Sequence, residues 1–271
     1  MKNLPAIGVL PTLFTLGNLV CGFFAIVVAA RVDIPDPTAT DPTDWTNCMI
    51  SGCLILLAMV FDALDGQLAR LTQRTGPFGA QLDSLCDMIS FGVAPAFLLV
   101  KICPDFTYVH REQVWVIAAA FAACAALRLA RFTVETDESD DHLTFRGLPS
   151  PGAACAIASF AIMLHTMHRQ PELLPVAVRA DKLIQGLLPF YGLLLGLLMV
   201  SNIPYPHVVS QWLAGRRSFS QVVGLVFAVV LVALYRTYAL PLVTTLFVMG
   251  PPVYWLYHEG VGRRARRVAR D

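Results

Sequence analysis

Apolar runs of roughly membrane-spanning length govern what this chain can become. About 20 consecutive apolar residues let a helix cross the ~30 Å hydrocarbon core of a bilayer. The 271-residue sequence offers eight candidate spans, at 12–30, 48–71, 80–101, 114–132, 152–168, 184–200, 220–236 and 239–257. Charged residues make up only 14%, against roughly 25% in soluble domains. Inside lipid every backbone amide and carbonyl needs a partner within the protein, so helices and closed barrels are the admissible solutions. The runs are continuously apolar rather than alternating, which argues against a barrel. The expectation is an all-α polytopic membrane protein, a single integral domain over residues 1–271 built as a bundle of about eight transmembrane helices.

The first run begins like a signal peptide but lacks a clean small-x-small exit, and it reads as a retained span. The last two runs are separated only by "RTYALP" and read as a tight hairpin or else one long broken helix. With the N-terminus in the cytoplasm, Lys2, Arg70, Arg74, Arg128, Arg131, Arg146, Arg216, Arg217 and the basic tail "GRRARRVARD" fall inside. Arg31, Lys101, Arg111, Arg169, Arg179, Lys182 and Arg236 fall outside. The bias predicts both termini on the cytoplasmic side of the cytoplasmic membrane, with the tail anchored on anionic phospholipid. The cytoplasmic loop "TVETDESDDHLTFRGLPSPG" reads as a solvated acidic surface. Seven cysteines form no C-x-x-C pair, so they read as small buried hydrophobes rather than a zinc site or disulfide framework. Nothing in the charge pattern asks for a nucleic-acid partner, and a homodimer stays open. Pro95 is expected to kink the third span, and Pro149 and Pro151 to start the fifth. His165 and His168, near a span end, are expected to be solvated.

Against this background one segment stands out, "FDALDGQLARLTQRTGPFGAQLDSLCD", residues 61–87. It carries Asp62, Asp65, Asp83 and Asp87 between two apolar stretches, Met49 to Phe61 and Met88 to Val100. At 1.5 Å per residue each stretch covers roughly 20 Å, short of a full span. Both helices must therefore continue through their aspartates, which places the carboxylates near the cytoplasmic boundary. Acids at that depth are functional by default. Asp62 and Asp65 are spaced i,i+3 and Asp83 and Asp87 i,i+4, so each pair shares one face of its helix. Gly76-Pro77 and Gly79 supply a turn that lets the two helices pack antiparallel.

Four converging carboxylates create an electrostatic problem. At about 5 Å and an effective dielectric of about 20, each like pair repels by about 3 kcal/mol. Protons or divalent cations must offset that. An oxygen-only donor set selects hard ions such as Mg²⁺ or Mn²⁺, and two of them side by side suit a phosphoryl or pyrophosphoryl group. A cation transporter would also use buried acids, but on several spans and at the midplane. Here they sit on two helices near one face.

The pattern Asp62, Asp65, Gly66, Ala69, Arg70, Gly79, Asp83, Asp87, with its spacing, resembles the signature of the CDP-alcohol phosphotransferases at every fixed position. Members of that family are integral membrane enzymes that displace CMP from a CDP-linked alcohol with a second alcohol. The resemblance implies a core over about residues 1–206, with 207–271 adding a two-helix hairpin and basic tail. It implies that Asp62, Asp65, Asp83 and Asp87 ligate two metals, and that Asp87 is also the base for the attacking hydroxyl. Gly66, Ala69 and Gly79 would leave room for the CDP-lipid, and Arg70 would pair with its phosphates.

Four further stretches, "PTLFTLGNLVCGFFA" (11–25), "LRLARF" (127–132), "FRGLPSPGAA" (145–154) and "SNIPYP" (201–206), resemble the serine-using branch of that family. That branch implies CDP-diacylglycerol and L-serine as partners. Serine brings a carboxylate to an anionic site and so needs a cation of its own. Arg128, Arg131 and Arg146 are candidates for the serine carboxylate or the lipid phosphate, or else are positive-inside anchors. Thr15 and Asn18, one turn apart in an apolar span, would either hydrogen-bond the cytidine or its ribose or make a polar contact between helices. Glycerol-3-phosphate, inositol phosphate or a choline-type alcohol are the alternative acceptors for the same chemistry.

Overall fold

The structure, a computed structural model, describes residues 9–32, 42–72, 77–138, 147–169, 174–205 and 236–268. Among these every regular element is helical. In chain order they are α1 (Val9–Ala30), α2 (Pro42–Thr72), α3 (Pro77–Asp87), a π-helical segment (Met88–Val93), α4 (Ala94–Lys101), α5 (Pro104–Val109), α6 (Arg111–Glu138), α7 (Ser150–Arg169), α8 (Leu174–Val200) and α9 (Arg236–Val268). Seven helices are long and apolar enough to cross a membrane, α3, the π segment and α4 running as one. They coincide with seven of the eight expected spans. The other, 220–236, lies outside the described residues except for Arg236, as do 139–146 of the acidic loop.

The bundle is assembled largely by helices that are not consecutive in the chain. α1 packs along α2, α2 against α7, α6 against α8, and α9 against α7. The inner faces are dominated by small and branched residues, with Ala25, Ala29, Ala58, Ala125, Ala156 and Ala161 buried. Small side chains let helices approach closely where lipid supplies no hydrophobic drive for association. Large apolar side chains such as Leu13, Phe23, Leu57 and Leu197 stay exposed on the outer faces, as a lipid-facing surface requires. α9 is fastened by hydroxyls, with Ser159 and Thr244 3.1 Å apart and Thr166 donating to Thr237 at 3.3 Å.

Pro95 is the second residue of α4, just beyond the π-helical turn. One local expectation is corrected in part. His168 is exposed, as expected near a span end, but His165 is buried. His168 stacks on Trp45 with ring centroids 4.0 Å apart and lies 3.5 Å from Asp181. The start of α2 covers this end of α7, which span-end position alone does not reveal. Pro149 and Pro151 do flank the start of α7, and among the cysteines Cys53 is exposed rather than buried.

Candidate active site

Helix direction brings the candidate residues to one end of the bundle. The start of α1, the end of α2, the start of α3, the end of α6, the start of α7 and the end of α8 all lie there. Asp62 and Asp65 sit toward the end of α2, and Asp83 and Asp87 close α3. Both helices stay regular through their aspartates, as the apolar lengths demand.

One carboxylate oxygen each from Asp62, Asp83 and Asp87 lies within 4.8 Å of the others. Asp65 flanks this trio, 5% exposed and close enough to Asp83 for their charges to interact. Asp65 Oδ2 and Asp83 Oδ1 are buried without a hydrogen-bond partner. A buried carboxylate oxygen with no donor is costly, and three acids at this separation repel. Orphaned oxygens in an all-oxygen cluster fit a hard divalent cation.

α1 closes one side of the cluster. Asn18 is fully buried, and its Nδ2 donates to Asp87 Oδ1 at 3.0 Å, while its own Oδ1 has no partner. Ser90 Oγ donates back to the Asn18 carbonyl at 3.0 Å. One turn on, Gly22 meets the same serine. A Cβ at Gly22 would stand 2.7 Å from Ser90 Cα, so any larger residue would push the two helices apart. Thr15 Oγ1 donates to the Pro11 carbonyl at 3.1 Å, and its side chain also faces Asp65.

The opposite side is basic and is built from three of the stretches singled out in the sequence. Arg128 Nη1 donates to Ser150 Oγ at 2.8 Å. Its Nε is buried without a partner, and its charge is near enough to Asp87 to be felt there. Arg131 Nη1 donates to Asn202 Oδ1 at 3.0 Å. The loop before α7 is tied to the loop after α8, with Gly147 N donating to the Ile203 carbonyl at 2.8 Å and Leu148 N to the Leu198 carbonyl at 3.0 Å. Gly147 has φ +89°, and a Cβ there would collide with the Met199 carbonyl and lie 2.9 Å from that of Ser201. Glycine is therefore required at this crossing. Tyr205, whose phenol burial pushes up to about 12, stays a neutral donor and bonds the Val248 carbonyl at 2.9 Å.

Gly66 and Gly79 face open space, since an added Cβ would meet nothing within 4 Å. Ala69 and Arg70 lie on the helical backbone of α2, their side chains outside the described residues, and Arg146 lies outside them altogether. Sequence reasoning passed over Ser90, Ser150 and Asn202. The last two fall inside stretches that resemble the serine-using branch, and a small polar residue beside a helix-end arginine was the available signal.

Comparison with known proteins bears on this arrangement. The family described as CDP-alcohol phosphatidyltransferase matches residues 8–197. The chain is 31% identical over 198 residues to the CDP-diacylglycerol–serine O-phosphatidyltransferase of Helicobacter pylori strain J99, covering 73% of this chain and 71% of the relative. It is 32% identical over 209 residues to the archaetidylserine synthase of Methanothermobacter thermautotrophicus, covering 76% and 73%. A Saccharomyces cerevisiae CDP-diacylglycerol–serine O-phosphatidyltransferase is 40% identical over 153 residues, covering 54% of this chain and 51% of the relative.

Proposed function

Because the chain belongs to the CDP-alcohol phosphatidyltransferase family, we propose that it transfers the phosphatidyl group of CDP-diacylglycerol to L-serine, giving phosphatidylserine and CMP. The observation that carries this reading is the meeting of Asp62, Asp83 and Asp87 from two neighbouring helices beside the half-buried Arg128. The relatives' names favour serine among the acceptors.

Asp62, Asp65, Asp83 and Asp87 would hold two Mg²⁺ or Mn²⁺ ions. Such ions, when bound, supply the positive charge that neutralises a diphosphate and a departing nucleotide. The remaining work falls to the chain's own groups. Asp87 takes the proton from the serine hydroxyl. The freed oxygen attacks the phosphorus attached to diacylglycerol, and the bond from that phosphorus to CMP breaks. Arg70 pairs with the phosphates of the CDP-lipid, and the openness at Gly66 and Gly79, with the small Ala69, leaves room for it. Thr15 and Asn18 would reach the cytidine or its ribose only by giving up burial, and the polar contact between helices that Asn18 makes with Asp87 is the alternative role. Arg128, Arg131 and Arg146 hold the serine carboxylate or the lipid phosphate. The acyl chains stay in the surrounding phospholipid, with the site and both termini facing the cytoplasm from the cytoplasmic membrane.

An acceptor carrying a phosphate, such as glycerol-3-phosphate or inositol phosphate, would bring a second negative charge and demand a denser basic wall. A choline-type alcohol would leave that wall without a carboxylate to bind. Purified protein in detergent, given CDP-diacylglycerol, Mn²⁺ or Mg²⁺ and each alcohol in turn, should release CMP at least about tenfold faster with serine, a margin a single matched charged hydrogen bond supplies. Equal or greater release with another alcohol would remove serine as the acceptor and leave the family chemistry standing.

A further inference from the structure

We propose that Asn18 is a positioning residue that fixes the orientation of the Asp87 carboxylate, and that Ser90 and Gly22 hold α1 at the distance this requires. The inference rests on reading the carboxylates as a divalent-cation site.

The terminal torsion of an aspartate is broad, so a carboxylate that must both bind a cation and accept a proton needs an external hold. Asn18 supplies one. Its Nδ2 donates to Asp87 Oδ1 at 3.0 Å, and with no exposure it cannot turn to water instead. An amide also carries no net charge. It orients the carboxylate without neutralising it, whereas a lysine or arginine in its place would compete with the cation. The pairing is anchored at a second point, because Ser90, one turn beyond Asp87, donates to the Asn18 carbonyl. Asn18 is thus tied to the same strip of helix through its side chain and its main chain.

The backbone around this strip is shaped to allow the contact. Gly22 brings α1 against Ser90 so closely that a Cβ would reach 2.7 Å from Ser90 Cα. The π-helical segment begins at Met88, immediately after Asp87, and π turns within helices frequently accompany functional sites. Ser90 lies on this wider turn and meets α1 there. Groups that orient a ligand from behind typically alter metal affinity or activity by about 10–100-fold when removed.

A double-mutant cycle separates positioning from mere packing. Mn²⁺ binding to the full-length protein in detergent is titrated by electron paramagnetic resonance, without substrates. Asn18→Ala is placed in the native and the Asp87→Ala backgrounds. Asn18→Leu, which keeps the volume but has no donor, guards against a loss caused by the cavity. Both Asn18 variants should weaken Mn²⁺ binding about tenfold or more in the native background, and cause little further loss once Asp87 is gone. An equal loss in both backgrounds, or no loss in either, overturns the positioning role while the cation site stands. No Mn²⁺ binding by the unaltered protein overturns the cation-site reading and this inference together.

Discussion

Asp87→Asn should lower CMP release by about 10³-fold or more, within the range that removal of a general base produces. The substitution is nearly isosteric, and Asn18 Nδ2 can still donate to the oxygen of the new amide, so the contact between α1 and α3 survives. The change removes a negative charge from a cluster whose members repel, which relaxes rather than strains the fold. What disappears is the group that can accept the serine proton and one anionic ligand oxygen. On the proposed reading the other three aspartates can still hold a cation for the diphosphate of the CDP-lipid. Binding of CDP-diacylglycerol, measured by displacement of a labelled analogue, should therefore persist at reduced strength while turnover vanishes. Turnover near the native level in the Asp87→Asn variant would refute the assignment of the base.

The second large effect is expected at Arg128. It is held by Ser150 at 2.8 Å and sits beside Asp87, with one buried donor still unused. A guanidinium in that posture is prepared for a carboxylate. Charged hydrogen bonds contribute about 1.5–3 kcal/mol, so Arg128→Ala should raise the KM for serine by roughly 10–100-fold, with a much smaller change in the KM for CDP-diacylglycerol. Arg128→Lys should restore part of the loss, since it returns the charge without the fork that reaches Ser150 and a carboxylate together. A KM for serine that stays native in the alanine variant would show that Arg128 only anchors α6 at the membrane surface. A rise confined to the KM for CDP-diacylglycerol would move it to the lipid phosphate.

Most of this architecture was legible because membranes restrict the choices. Run length and the scarcity of charge located seven of the described spans to within a few residues. Helical spacing placed Asp62 with Asp65 and Asp83 with Asp87, and the shortfall of apolar length forced both helices through the acids. Hidden from the sequence were features set by a second element. Nothing within α1 reveals that Asn18 lies against Asp87, because the two are 69 positions apart. The same holds for Ser150 under Arg128 and Asn202 under Arg131, whose pairings depend on how α6, α7 and α8 meet. The π-helical turn was invisible beyond the hint of Pro95. Nor does the sequence say why residue 147 is glycine, since its left-handed backbone and the crowding carbonyls of Met199 and Ser201 depend on the end of α8 and the loop after it. His165 misled for a related cause, since Trp45, which meets it, belongs to a different helix.

Every proposed step depends on paired cations held by carboxylates from α2 and α3. The most direct test is CMP release from CDP-diacylglycerol and serine by protein stripped with a chelator, followed by stepwise return of Mg²⁺ or Mn²⁺. Release should fall to background in the stripped protein and recover as either ion is restored, with no recovery when Asp62, Asp83 and Asp87 are all replaced by asparagine. Undiminished release from thoroughly stripped protein would contradict the account.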